Sequence, residues 1–499
     1  MKYVIGVDLG TSAVKILLVN QNGEVSTEVS KSYPLIIEKS GYSEQNPEEW
    51  VEKTTAGLVE LLEEFEGDVN EIEGISFSGQ MHGLVLLDEN HQVVRNAILW
   101  NDTRTTKQCE EIVQVVGKQR LLEVTKNPAL EGFTLPKILW VKENEPQLFE
   151  RASTFLLPKD YLRYRITGEI HMDYSDAAGT LLLNVAEREW SQEILNAFDL
   201  PSEFCPPLVE SHEFVGAISS GFAEATGLAE GTKVFAGGAD NACGAIGSGI
   251  LSEGKSLCSI GTSGVVLSYE ERNDLDFAGK VHYFNHGEEN AYYTMGVTLA
   301  AGYSLSWFKD TFAKQEAFDQ FLEGVAEVPA GSDGLLFTPY VVGERTPHAD
   351  SAIRGSFIGI DASHERKHFA RAVLEGITFS LNESIEIFRS SGKTIESIIS
   401  IGGGAKNETW LQMQADIFNA KIEKLTSEQG PGMGAAMLAA YGCGWYPSLK
   451  DCAAAFIQVA KTYEPIPENV EKYQKLFSVY QNVYTQTRTL NDQLKEFRR

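Results

Sequence analysis

Two stretches of the chain carry the same pattern of hydrophobic and polar positions. Tyr3-Val-Ile-Gly-Val-Asp8-Leu-Gly10-Thr11-Ser12-Ala-Val-Lys15-Ile-Leu-Leu-Val-Asn20 reads as apolar strand, Gly-Thr-Ser turn, apolar strand. Half a chain later, Ser256-Leu-Cys-Ser-Ile-Gly261-Thr262-Ser263-Gly264-Val-Val-Leu-Ser-Tyr269 repeats it. In each turn the glycine permits a tight bend, and backbone N–H groups and two hydroxyls face inward as a small anion cradle. Two such cradles, one per half, indicate a duplicated architecture with a phosphate-bearing ligand held between the halves.

The remaining periodicity fills in an α/β chain. Residues 3–34 predict a three-strand meander, with Asn22-Gly23 as the second hairpin turn. Asn46 caps a helix from Pro47 to about Glu66, with acidic residues in its first turn. Ile72 to Phe77 is a strand that Leu84 to Asp88 resumes, and Asn96 to Leu99 is a short strand. Residues 105–232 read as mostly helical, an insertion on the first core. The second half predicts a meander over 256–297, helices around 299–327 and from His364 to Ser390, and a strand from Ile395 to Ile401. That strand runs into Gly402-Gly403-Gly404 and a helix ending at Phe418, and a small-residue helix follows Gly430-Pro-Gly-Met-Gly434. The last fifty residues read as helical and charged. Short connections near 250 and 430 are the expected hinge.

Between the cradles lies Val234-Phe-Ala-Gly-Gly-Ala-Asp240, a strand broken by glycines, followed by the small residues Ala242, Gly244, Ala245 and Gly247. Such a helix can pack very close to a neighbour. Asp240 thus stands at the mouth of a strand–turn–helix, either as a helix cap or as a catalytic carboxylate. Just beyond it, Gly249-Ile-Leu-Ser-Glu-Gly254-Lys255-Ser256 matches the Walker A pattern letter for letter. A P-loop needs a strand before it and a helix after it, and here that order is inverted, so the match reads as chance.

Composition narrows the partners. The 499 residues are 43% apolar and 22% charged, with a formal charge of −28. Such a charge argues against nucleic acid or an anionic membrane, and any phosphate site must be built from local donors and a metal. Six cysteines without C-x-x-C spacing read as reduced thiols. The first apolar run meets Asp8 at once and reads as a strand, and no stretch reaches the roughly 18 apolar residues of a membrane span. The expectation is a cytoplasmic protein, with a homodimer left open.

Five motifs together resemble the FGGY group of carbohydrate kinases, within the sugar-kinase, actin and heat-shock ATPase superfamily. They are the two Gly-Thr-Ser turns, the Gly-Gly-Ala-Asp240 stretch, Gly132-Phe-Thr-Leu-Pro-Lys137-Ile-Leu-Trp140, and Gly355-Ser-Phe-Ile-Gly359 with His368 to Glu375. The resemblance implies two ribonuclease H-like (actin-like) domains with a duplicated mixed-sheet core around a central cleft. The division it suggests is 1–250, sugar-binding and catalytic, and 251–499, nucleotide-binding.

Ser78-Gly-Gln-Met81-His82-Gly83, Trp100-Asn-Asp102-Thr-Arg104 and Gly343-Glu-Arg-Thr-Pro-His348 are similar to the members that phosphorylate D-xylulose. Glycerol-specific members usually carry Arg-Glu where this chain has Met81-His82. By this resemblance Asp240 takes the proton of O5 of D-xylulose, as a helix-start carboxylate of ordinary or lowered pKa, and Asp8 holds Mg2+ through water. The sugar falls to Met81, His82, Trp100, Asp102, Arg104, Asp240 and Asn241. ATP falls to Gly10, Thr11, Ser12, Lys15, Gly261, Thr262, Ser263, Gly403, Gly404 and Asn407. Some of these residues also have plain readings: Asp102 and Arg104 can pair with each other, and Trp100 can fill core. Other substrates of the group (gluconate, L-ribulose, a deoxy-ketose) and an actin-like ATPase without a sugar remain alternatives.

Overall fold

A computed structural model describes residues 1–498. Two mixed sheets carry the same strand order. In the first, Val25–Ser32, Ala13–Asn20, Tyr3–Leu9, Ile72–Gly79 and Lys233–Phe235 lie side by side, with Phe214–Ala217 at the edge. In the second, His282–Asn285 and Tyr292–Thr298 are followed by Gly264–Glu270, Gly254–Ile260, Ile395–Gly402, Lys421–Leu425 and the edge strand Val459–Tyr463. In both sheets the first strand pairs antiparallel with its hairpin partner and parallel with the strand after the first long helix. The two Gly-Thr-Ser turns therefore sit at equivalent places, each at the end of a central strand.

Several expectations change in detail. Leu84 to Asp88 does not resume the first sheet. The chain turns at His82, whose φ is +68, and Val85–Leu87 pairs instead with Thr154–Leu156. The insertion returns the strand Phe214–Ala217 to the first sheet, so it is not purely helical. The helix expected over 299–327 is Gly302–Phe312 plus the single turn Phe318–Phe321, because residues 313–317 offer no long apolar side chain to bury. Within the last fifty residues, Val459–Tyr463 is a strand that extends the second sheet ahead of the helix Pro467–Leu494.

Small residues hold the halves together. Helix Pro431–Gly442, from the second half, crosses helix Asp240–Gly247 and packs on the first sheet. A Cβ on Gly434 would lie 1.9 Å from the Cys243 carbonyl oxygen, and one on Gly6 would lie 2.1 Å from that of Gly432. Only glycine allows such an approach. A second bridge is apolar: Met81 of the first half and Tyr293, Met295 and Val297 of the second belong to one buried cluster.

A candidate active site in the cleft between the sheets

Asp240 is delivered by a run of tight geometry. Gly237 takes φ +79 with its Cα against the Phe77 carbonyl, where a Cβ would lie 2.2 Å away. Gly238–Ala239 then pairs with Ser78–Gly79, and Asp240 is the first helical residue. The cap residue is Ala239, so the carboxylate is not spent on capping. Its Oδ1 accepts the Asn241 backbone N–H (2.7 Å) and Nδ2–H (3.0 Å), and among the described residues Oδ2 has no partner. Burial, with the negative charge of Asp8 second, pushes its pKa up to about 7. The expectation of an ordinary or lowered value is corrected: enclosure and a like charge outweigh the helix start and the Asn241 donors.

Asp8 ends the first strand opposite Lys15 and Ser78 in the ladders. Burial raises it to about 6. Two carboxylates, of which Asp8 raises the cost of ionising Asp240, beside hydroxyl-bearing turns form a donor set that suits a hard divalent cation. The first turn is held firmly: Gln45 Nε2 donates to the Thr11 carbonyl (2.6 Å), the Trp100 indole donates to Thr11 Oγ1 (2.9 Å), and Gly10 N–H donates to Ala13 O (3.1 Å). Trp100 is 45% exposed, so it lies over the first Gly-Thr-Ser turn and does not fill core. Ser12, Thr262 and Ser263 are exposed, with hydroxyls that have no protein partner. Lys15 bonds Gln429 Oε1 across the cleft (2.7 Å) and pairs with Glu28 (3.2 Å).

At the other end, Met81 Sδ lies 3.6 Å from Asn241 Nδ2 and 3.9 Å from the Tyr293 hydroxyl. His82 donates from Nδ1 to the Gly179 carbonyl (2.6 Å), and burial drives its pKa down to about 3. The ring is therefore neutral and keeps Nε2 as a free acceptor. Lys137 was visible only as part of a motif, without a role. Its ammonium holds the His82 carbonyl (2.9 Å) and that of Gly132 (2.5 Å), which fixes the left-handed backbone at His82. Asp102 and Arg104 form a closed network instead of presenting free groups. Arg104 is bidentate to Asp102, pairs with Glu44 (2.8 Å) and stacks on Tyr42, and Asp102 also accepts Ser43 N–H (2.7 Å). Both side chains are buried, so they brace the loop that carries Trp100.

Beside the second turn a cavity of about 350 Å³ is lined by Gly261, Thr262, Tyr303, Phe318, Gly403 and Asn407, among others. Its size and aromatic walls suit a nucleoside. Asn407 Oδ1 caps the following helix by accepting Trp410 N–H (2.9 Å), leaving Nδ2 for a ligand. The run of three glycines has a packing cause in a neighbouring strand. Gly402 has φ +77, and a Cβ on Gly404 would lie 2.5 Å from the Ile260 side chain. Gly404 is thus a packing residue behind the wall, while Gly403 lines the cavity. Lys255 sits at the far end of strand Gly254–Ile260, and the helix Asp240–Gly247 precedes it, as a chance Walker match requires. Lys255→Ala should leave the ATP dissociation constant within about 2-fold of wild type by calorimetry; a loss of binding would restore the P-loop reading.

Behind Asp240 lies a cluster with no exposed surface. The Lys159 ammonium contacts Asp160 (2.7 Å), Asp173 (2.7 Å) and Asp176 (2.8 Å), and Arg163 pairs with Asp160 (2.9 Å). The three carboxylates gather as they would for a metal, but the ammonium occupies that role. Asp173 accepts Ser211 and Ser175 hydroxyls, and Ser175 Oγ accepts Ala239 N–H (2.9 Å), one residue before Asp240. The stretch Ser175-Asp-Ala-Ala-Gly179 thus ties the cluster to the turn that carries Asp240. Its role depends on contacts far apart in sequence.

The model for the N-terminal domain of the FGGY family of carbohydrate kinases matches residues 3–247, and that for its C-terminal domain matches 256–443. A xylulose kinase of Bacillus subtilis (strain 168) is 64% identical over 499 residues, covering 100% of both chains. A ligand-bound xylulose kinase structure from Lactobacillus acidophilus superposes with TM-score 0.94 at 29% identity, covering 99% of this chain and 100% of that one. A gluconate kinase structure from the same organism gives 0.92 at 30% identity, covering 97% and 98%.

Proposed function

The chain belongs to the FGGY family of carbohydrate kinases, and from that premise we propose that it transfers the γ-phosphoryl group of ATP to O5 of D-xylulose. The observation that carries this reading is Asp240, with an unpartnered Oδ2 at the bottom of the cleft. It stands beside the Met81–Asn241 contact on one side and Asp8 and the phosphate turns on the other. The full-length similarity to xylulose kinases supports the choice of sugar.

Phosphoryl transfer passes through a loose transition state, so positioning and charge matter more than base strength. The free Nε2 of His82 accepts from a sugar hydroxyl, and Asn241 orients the Asp240 carboxylate. Asp240 Oδ2 takes the O5 proton as the bond to phosphorus forms. Thr11, Ser12, Thr262 and Ser263 hydroxyls and the turn N–H groups hold phosphate oxygens, and Gly403 and Asn407 border the nucleoside. Asp8 would hold Mg2+, which supplies charge neutralisation at the β- and γ-phosphates. Lys15, bonded to Gln429, ties the two walls together at the phosphate end. Trp100 keeps Thr11 in place from above. Among the described residues no helix is long and apolar enough to cross a membrane.

Because the base must be ionised and its pKa is pushed up to about 7, kcat/KM for D-xylulose should rise with pH through about 7 and level off above it. A profile flat from pH 5.5 to 8 would remove Asp240 from that role. The reaction itself is tested by incubating D-xylulose with MgATP and locating the product phosphate by phosphorus–proton coupling. The expected product carries it on C5. Phosphate at C1, or no sugar phosphate, would overturn the reading.

A further inference from the structure

Arg345 has no role in the account so far. Its loop is among the best-anchored parts of the second half. Glu344 is buried and accepts from the Thr298 and Ser380 hydroxyls and from Leu299 and Arg345 N–H groups. Thr346 exchanges two hydrogen bonds with Val297, N–H to Val297 O at 2.9 Å and Val297 N–H to Thr346 Oγ1 at 3.0 Å. Val297 lies two residues along its strand from Met295, the ladder partner of His282, so residue 345 is fixed beside the wall that carries His282. Among the described residues, the Arg345 side chain has no hydrogen-bond or ion-pair partner. It is accessible, yet surrounding protein depresses its pKa, as befits a residue inside a cleft. Its charge is felt by His82 and His282, and does not figure among the influences on Asp240 or Asp8.

The histidines make the need for a donor specific. His82 spends Nδ1–H on Gly179 O. His282 Nδ1 lies 3.1 Å from Asn127 Oδ1, which accepts because Asn127 Nδ2 donates to the Tyr283 carbonyl (2.8 Å). Burial holds both rings neutral, near 3, so each is left with an accepting Nε2. Acceptors suit hydroxyls. A ketone oxygen can only accept, and it needs a donor that these rings do not provide.

Resting on the reading of the site as a D-xylulose kinase, we infer that Arg345, reaching from the second half of the chain, donates to the C2 carbonyl oxygen of the sugar and so selects a ketose over a polyol. The carbonyl is three carbons from O5, which matches a guanidinium placed at the His82 end and away from Asp240. A charged donor placed for one oxygen discriminates against a ligand that lacks it as an acceptor, and Lys cannot reproduce the planar fork.

The test compares wild type, Arg345→Met and Arg345→Lys, reading KM for D-xylulose, KM for ATP and the inhibition constant of xylitol, the polyol formed by reducing the carbonyl. Arg345→Met should raise KM for D-xylulose about 10- to 100-fold, with xylitol inhibition and KM for ATP unchanged and Arg345→Lys intermediate. An equal rise for xylulose and xylitol, or no change for either, overturns the inference. Wild type that fails to turn over D-xylulose at all would instead overturn the function on which it rests.

Discussion

Asp240→Asn should fold normally and lose about 10²- to 10⁴-fold in kcat, the range over which a positioned proton acceptor acts. The amide fills the same volume and keeps an acceptor for Asn241, so substrate binding should survive while proton acceptance does not. Stability gives an independent sign. The folded pKa of about 7 lies above the ordinary 3.8. Between those values the folded state binds more protons than the unfolded one, so the carboxylate lowers stability progressively as pH rises through that window. Removing it should raise Tm at pH 8 and change Tm little at pH 4. Near wild-type turnover, or a lower Tm at pH 8, would contradict the assignment. A group that costs stability at working pH while serving turnover is what a catalytic carboxylate looks like in thermodynamic terms.

Lys159→Met should be the most destabilising single change outside the cleft, by about 3–5 kcal/mol in urea unfolding, the cost of removing one partner from a buried ion pair. Burial alone would raise Asp173 and Asp176. The ammonium holds Asp173 below its ordinary range, while Asp176 is pushed well above it. Lys159 and Arg163 face the three carboxylates from one side. Methionine fills the space but leaves Asp173 and Asp176 without their Lys159 partner and with no exposed surface. The loss should also reach the active site, since Asp173 anchors Ser175 and Ser175 holds Ala239. A variant of unchanged stability would mean the cluster is hydrated and structurally idle.

Much of this was legible in the chain. The duplicated strand–Gly-Thr-Ser–strand pattern marked both turns because a tight bend between apolar strands has a local signature. Asp240 was legible for the same reason, as a charged residue at a strand–helix junction. What escaped was set by distance in space. The raised pKa of Asp240 comes from burial by distant segments and, second, from Asp8, more than two hundred positions earlier. Whether Asp102 and Arg104 would face the sugar or each other could not be read from their spacing, and Glu44 and Tyr42 decided it. Gly404 resembled a ligand-facing glycine because its reason, Ile260, lies in another strand. The return of helix Pro431–Gly442 to the first sheet was likewise invisible, although its small residues announced a close neighbour.

ADP release with MgATP against no sugar, D-xylulose, L-ribulose, D-gluconate, L-fuculose and glycerol tests the central claim most directly. The account predicts strong release with D-xylulose, little with the other sugars and almost none without sugar, since the Asp240 carboxylate is placed for a sugar hydroxyl between two closing walls. Release that is the same with and without sugar would contradict it.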